Sequence, residues 1–188
     1  TRCYPVSWAR DVYKRQDQEV LNLLRDAGCD VDGTRVRFPN GLARKLASTA
    51  PSQFTQFARN PLKSVEIGGD KIVFAPVYGP PFIRGLDGER RYAEIDDFIN
   101  MVKLVYMLPG LHHSGGTLCE PVDLPVTKRH LEMIYAHIRY SDKPFMGSVT
   151  APSRAEDSVE MARLVFGDEF VKNNCVLVSL INANSPMT

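Results

Sequence analysis

The chain has 188 residues, 44% of them hydrophobic and 24% charged, with 23 Lys and Arg against 22 Asp and Glu and a formal net charge of +1. That near-neutral balance excludes a polybasic nucleic-acid binder, and no apolar run approaches the ~20 residues that span a bilayer. The length suits one domain, and the cysteines (Cys3, Cys29, Cys119 and Cys175) lack the C-x-x-C spacing of a clustered zinc site or a disulfide framework, so a reducing, cytoplasmic setting is the default.

Residues 1–16 show neither helical nor strand periodicity and lack the apolar centre of a signal peptide. Their second half, Asp11-Val12-Tyr13-Lys14-Arg15-Gln16, resembles the conceptual translation of a transposon-end sequencing adapter, so the segment reads as a non-native leader. Setting aside Arg2, Arg10, Lys14 and Arg15 together with Asp11 turns the formal charge of +1 into a small negative one and removes the only tryptophan, Trp8.

Val20, Leu21, Leu24 and Ala27 predict an amphipathic helix over 17–28, stopped at Gly28. An Asp-Gly hairpin follows over 31–38, then a short helix over 42–50 that Pro51 ends. Residues 54–57 and 64–67 alternate like strands, and Gly68-Gly69-Asp70 turns the chain into 71–75. Residues 17–71 thus form a small α+β cap.

From Ile72 onward strand, loop and helix repeat. Strands are predicted near 72–77, 111–115, 144–148 and 175–181, the last three recurring about every 33 residues, the length of a βα unit. Between them lie three helices. The first carries Ile95, Phe98, Ile99, Val102 and Val105 on one face, and the second carries Leu131, Ile134, Tyr135 and Ile138. The third is opened by a capping box at Ser153 and Glu156 and carries Val159, Ala162, Val165 and Phe166. A hairpin over 82–92 interrupts the first strand-to-helix connection. Continuously apolar strands such as 175–181 suit a parallel sheet covered on both faces. Four such units resemble half of a (β/α)8 barrel, whose closure needs roughly 250 residues. The rival, an open doubly wound sheet, lacks its G-x-G-x-x-G fingerprint after every predicted strand.

Either architecture binds ligands at the carboxyl ends of its strands, which here carry Tyr78 and Gly79, His112 to Gly116, Phe145 to Ser148, and Asn182 to Pro186. Glycines there let the backbone approach a ligand, and Asn182 and Asn184, two apart, put both amides on one side of an extended chain. His112 and His113 are adjacent, so in a strand they face opposite ways and one at most lines a site. Glu120 and Asp123 are the candidate carboxylates, whereas Asp96, Asp97, Glu156 and Asp157 suit helix N-termini. His130 and His137 on the second helix read as surface or core residues. His112, Cys119 and Glu120 form a zinc-compatible set without a recognised zinc motif.

The ordered stretches Asp32-Gly33-Thr34-Arg35-Val36-Arg37-Phe38-Pro39, Ala58-Arg59-Asn60-Pro61, Gly79-Pro80-Pro81-Phe82, Gly115-Gly116 with Glu120-Pro121, Asp142-Lys143-Pro144-Phe145 and Ile181-Asn182-Ala183-Asn184-Ser185-Pro186 identify a resemblance. From about Asp17 the chain resembles the amino-terminal half of the trimethylamine:corrinoid methyltransferase family, which includes glycine betaine methyltransferases that lack pyrrolysine. The resemblance implies a partial (β/α)8 TIM barrel over 72–188, preceded by the α+β cap. It implies a substrate that is a methylated amine, with trimethylamine or glycine betaine as examples. It implies that a Co(I) corrinoid carried by a partner protein accepts the methyl group and that no cofactor binds this chain directly. It further implies a full-length homo-oligomer without nucleic-acid or membrane partners, and a chain inactive by itself. Tyr78, His112, Gly115, Gly116, Glu120, Phe145, Asn182 and Asn184 are the expected substrate-binding residues, with Tyr78, Phe82 and Phe145 offering aromatic faces to a quaternary ammonium. His113 departs from the small apolar residue usual at that place in the family, which shifts weight to His112. A zinc-dependent barrel methyltransferase and a non-catalytic binding module are the competing readings.

Overall fold

A computed structural model describes residues 13–14 and 18–181. The chain divides at Pro51 into two compact units.

In the first unit β1 (Tyr13–Lys14), which lies inside the segment read as a leader, pairs antiparallel with β3 (Arg35–Arg37), and β3 pairs antiparallel with β2 (Asp30–Asp32). The predicted hairpin is present, with Gly33 at φ 58° supplying the left-handed turn residue. The predicted first helix is α1 (Gln18–Asp26), and Gly28 ends it at φ 93° as Cys29 N–H donates to the Leu24 carbonyl. Leu21, Cys29 and Val36 form the core, with Leu24, Val31, Phe38 and Leu42 packed against it. α2 (Leu42–Ala47) is shorter than predicted. The Ser48 and Thr49 hydroxyls donate to the Lys45 and Leu46 carbonyls three residues back, and Thr49 and Ala50 N–H make tight three-residue bonds, so α-helical pairing stops before Pro51.

In the second unit β4 (Gln53–Gln56) and β5 (Val65–Gly68) pair antiparallel as predicted, as do β6 (Phe82–Arg84) and β7 (Arg90–Tyr92). α3 (Ile95–Met107), α4 (Arg129–Tyr140) and α5 (Pro152–Phe166) are the three predicted helices, and a short α6 (Asp168–Asn173) follows Gly167 without having been foreseen. The capping box at Ser153 does not form. Pro152 occupies the first turn of α5, Ala151 is the N-cap, and no side chain caps the helix. On α3 Phe98, Val102 and Val105 are buried as predicted, and they join Ala93, Leu118, Cys119 and Ala136 in the core. The buried face of α4 is rotated from the predicted one. His130, Ile134, Ala136 and His137 point inward, while Tyr135 is exposed. The imidazoles tolerate burial because each has a partner: His130 Nε2 lies 2.7 Å from Asp157 Oδ2, and His137 bonds through both ring nitrogens.

Of the four predicted strands only the third and fourth form, each shortened to two residues, while 72–77 and 111–115 are irregular segments that run alongside them in chain order and in one direction. His112 N–H donates to the Phe74 carbonyl and Gly79 N–H to that of Thr117. Ser114 N–H donates to the Pro144 carbonyl and Met146 N–H to that of Gly115. β8 (Phe145–Met146) then pairs in parallel with β9 (Leu177–Val178). Only this last pair forms a regular ladder, because Pro76, Pro80 and Pro81 carry no N–H and two histidine side chains take backbone donors from the others.

Lys143, 7% exposed, anchors the amino end of the third segment. Its ammonium donates to the carbonyls of Val105 (2.8 Å), Leu108 (3.0 Å) and Leu111 (2.7 Å), at and just beyond the C-terminus of α3, where the helix dipole favours a cation. Burial, with the Lys63 charge nearby, pushes its pKa below the ordinary lysine value. Replacing it by Met removes three bonds while keeping the chain length. Urea unfolding of Lys143→Met should show a loss of roughly 2–3 kcal/mol at unchanged slope.

Candidate functional site

The carboxyl ends of the parallel segments meet through glycine. Gly115 sits at φ 89°, and a Cβ there would lie 2.7 Å from Pro76 Cγ and 3.0 Å from a Leu118 methyl. A Cβ on Gly116 would lie 2.9 Å from Tyr78 Cε2 and 3.0 Å from Met146 Cβ. Both positions therefore require glycine, one for its backbone angle and close approach, the other for close approach alone. The result brings Tyr78, Gly115, Gly116 and Met146 together, with the Tyr78 ring partly open to solvent.

Two buried imidazoles hold this junction. His113 Nδ1 accepts from Gly115 N–H (2.8 Å), so its proton is on Nε2, which donates to Gln56 Oε1 (3.0 Å). The fully buried Gln56 then donates its own amide to the carbonyls of Phe145 (2.9 Å) and Val176 (3.3 Å). On the other face His137 Nε2 donates to the Gly116 carbonyl (2.7 Å), leaving Nδ1 to accept from the Ser114 hydroxyl (2.7 Å). Adjacent residues in an extended segment face opposite ways, which is why His113 reaches Gln56 while Ser114 reaches α4. Burial pushes the His113 pKa down to about 4, with His137 nearby adding to the effect. Burial also takes His137 down to about 4, against the opposing pull of the Gly116 carbonyl. Both rings are neutral at ordinary pH.

The remaining expected residues are dispersed. His112 is exposed and accepts at Nδ1 from Phe74 N–H (3.1 Å). It lines a cavity of about 690 Å³ shared with Lys63, Tyr106 and Lys143, at the amino end of its segment and away from Gly116. Phe145 is buried and stacks on His137 with ring centres 6.1 Å apart, so its face packs against α4. Phe82 already has the Arg90 guanidinium 3.9 Å from its ring centre and Tyr92 beside it. Glu120 is half-exposed and accepts from Arg129 (2.9 Å). Asp123 accepts from Ile95 N–H and serves as a cap of α3. Asn182 and Asn184 lie outside the described residues. The zinc set is not assembled: Cys119 is fully buried in the α3 core, its thiol pushed up to about 11 by burial and then by the Asp97 charge. No group of three or more His, Cys, Asp or Glu side chains suited to a metal occurs among the described residues.

Gln56 was not singled out by the sequence, Ser114 stood only within the stretch from His112 to Gly116, and His137 was read as a surface or core residue, the core being its place here. Gln56 ends an ordinary alternating strand, and nothing local marks it as a residue that reaches three other segments. The seven-residue spacing of His130 and His137 on a helix was the available signal for a shared buried face.

The sequence profile of the trimethylamine methyltransferase (MTTB) family matches residues 12–188. The chain is 46% identical over 171 residues to a glycine betaine methyltransferase of Desulfitobacterium hafniense (strain Y51), covering 90% of this chain and 36% of that protein. It is 29% identical over 135 residues to a proline betaine:corrinoid methyltransferase of Eubacterium limosum, covering 70% of this chain and 27% of that protein. The chain belongs to the trimethylamine methyltransferase family. It spans about a third of the length of these relatives.

The neutral imidazoles give stability a defined pH dependence. Above pH 6.5 they are uncharged in both folded and unfolded chains and contribute no slope. Between 6.5 and about 4 the unfolded chain takes up protons that the folded one refuses, so stability falls as pH falls, and the slope ends below about 4 where the folded rings also titrate. At pH 4.5 the loss relative to pH 7 should reach roughly 2–3 kcal/mol per imidazole, and His137→Gln should remove about half of the histidine-dependent part, as read from urea unfolding at the two pH values.

Proposed function

We propose that the full-length protein moves one N-methyl group from a methylated amine of the betaine class to the Co(I) corrinoid of a partner protein, and that this chain contributes the first four βα units of its (β/α)8 barrel. The observation that carries the reading is the one-directional run of the four segments, which gathers Tyr78, Gly115, Gly116 and Met146 at their carboxyl ends in a chain 46% identical to a glycine betaine methyltransferase. Barrels and open α/β sheets alike place their sites at that end.

The chemistry asks little of side chains. As the methyl carbon leaves, the C–N electron pair stays on nitrogen, so a quaternary ammonium departs as a neutral tertiary amine without a general acid. The corrinoid supplies the nucleophile, and no residue of this chain is assigned to it. What remains is to hold and orient a cation in line with its acceptor. The half-open Tyr78 ring offers a face to the ammonium, and the two imidazoles at the junction are uncharged and do not repel it. The partner and substrate are thus a corrinoid protein and a small methylated amine. Among the described residues no helix is long and apolar enough to cross a membrane.

The assay incubates the full-length protein and a reduced corrinoid protein with glycine betaine, proline betaine or trimethylamine. Glycine betaine or proline betaine should convert the Co(I) absorbance in step with release of the demethylated amine. Turnover of trimethylamine alone, or of none of the three, would overturn the reading. Tyr78→Ala should lower kcat/KM about tenfold.

A further inference from the structure

We propose that His113 is a positioning residue for the substrate site: its imidazole fixes the left-handed turn at Gly115 and through it the place of Gly116 beside Tyr78 and Met146. The inference rests on the substrate site proposed above and gives a role to a residue that the function itself does not use.

Three observations support it. Gly115 N–H has its bond to His113 Nδ1, two residues back, at 2.8 Å, where a regular parallel ladder would send such a donor to a neighbouring strand. The side chain therefore substitutes for the ladder at the point where the chain turns to φ 89°. The imidazole is also buried and bonded at both ring nitrogens. It is 2% exposed, and its Nε2 is held by Gln56, which is in turn fixed on the Phe145 and Val176 carbonyls. Finally, the turn has no slack, because Gly115 and Gly116 sit against Pro76, Leu118, Tyr78 and Met146 at distances that leave no room for a methyl group. A clamp anchored in three segments thus sets the position of a loop whose shift would move the Tyr78 face, and displacements of this kind are costly in a site that works by orientation.

Two substitutions separate the clamp from packing. In His113→Asn the side-chain oxygen accepts from Gly115 N–H in an Asx turn but is too short to keep Gln56, whereas His113→Leu makes neither bond. Both should lower the unfolding midpoint. Amide hydrogen exchange by NMR on the full-length protein should find Gly115 protected in the wild type and in His113→Asn, and exposed in His113→Leu. The KM for glycine betaine should be about tenfold higher in His113→Leu than in His113→Asn, with kcat changed less. Equal Gly115 protection in the two variants, or equal KM at equal fold stability, would overturn the proposal. A wild-type protein that neither binds nor demethylates a betaine would overturn the substrate reading instead, while the exchange arm still decides whether His113 holds the turn.

Discussion

The carboxamide of Gln56 is the constraint on which the second unit depends. A buried amide with two donors and an acceptor is costly unless each finds a partner. Here both donors go to carbonyls of the third and fourth parallel segments, and the oxygen accepts a hydrogen bond from His113 Nε2 on the second. A side chain from the β4–β5 hairpin thereby stitches three segments whose own backbone ladders are short. Phe57 N–H, donating to the Cys175 carbonyl, holds the hairpin in register for this task.

Sparse laddering and buried imidazoles belong to the same economy of donors. His112 and His113 each accept a backbone N–H, from Phe74 and Gly115, and prolines remove others. The segments keep one direction through scattered bonds, while Lys143 and Gln56 supply cross-links that a continuous sheet would not need. The effect at the carboxyl ends is a junction shaped by glycines and held by uncharged groups. Such a junction suits the proposed binding of a methylated cation, for which orientation would matter more than proton transfer.

Local pattern in the sequence exposed most of the elements. The Asp-Gly turn at Gly33, the β4–β5 and β6–β7 hairpins and the apolar stripe of α3 follow from period and turn chemistry, and the structure has them where expected. Where it differs, a side chain competes with the backbone. Ser48 and Thr49 shorten α2, Pro152 displaces the cap expected at Ser153, and partnered imidazoles turn α4 so that His130 and His137 replace Leu131 and Tyr135 on its inner face. Gly115 and Gly116 were legible as glycines needed for close approach, and the structure gives that need its distances. The network behind them was not legible, because Gln56 lies 57 residues from His113 and 120 from Val176, and only the tertiary fold joins them.

The Gln56 amide, more than the volume it fills, holds the parallel segments together. Gln56→Met keeps the length and apolar packing while removing all of its hydrogen bonds, which leaves the Phe145 and Val176 carbonyls and the His113 Nε2 proton without partners. Urea unfolding of the wild type and Gln56→Met at pH 7 tests this most directly. The loss should be roughly 3 kcal/mol or more. A variant within about 0.5 kcal/mol of the wild type would contradict it.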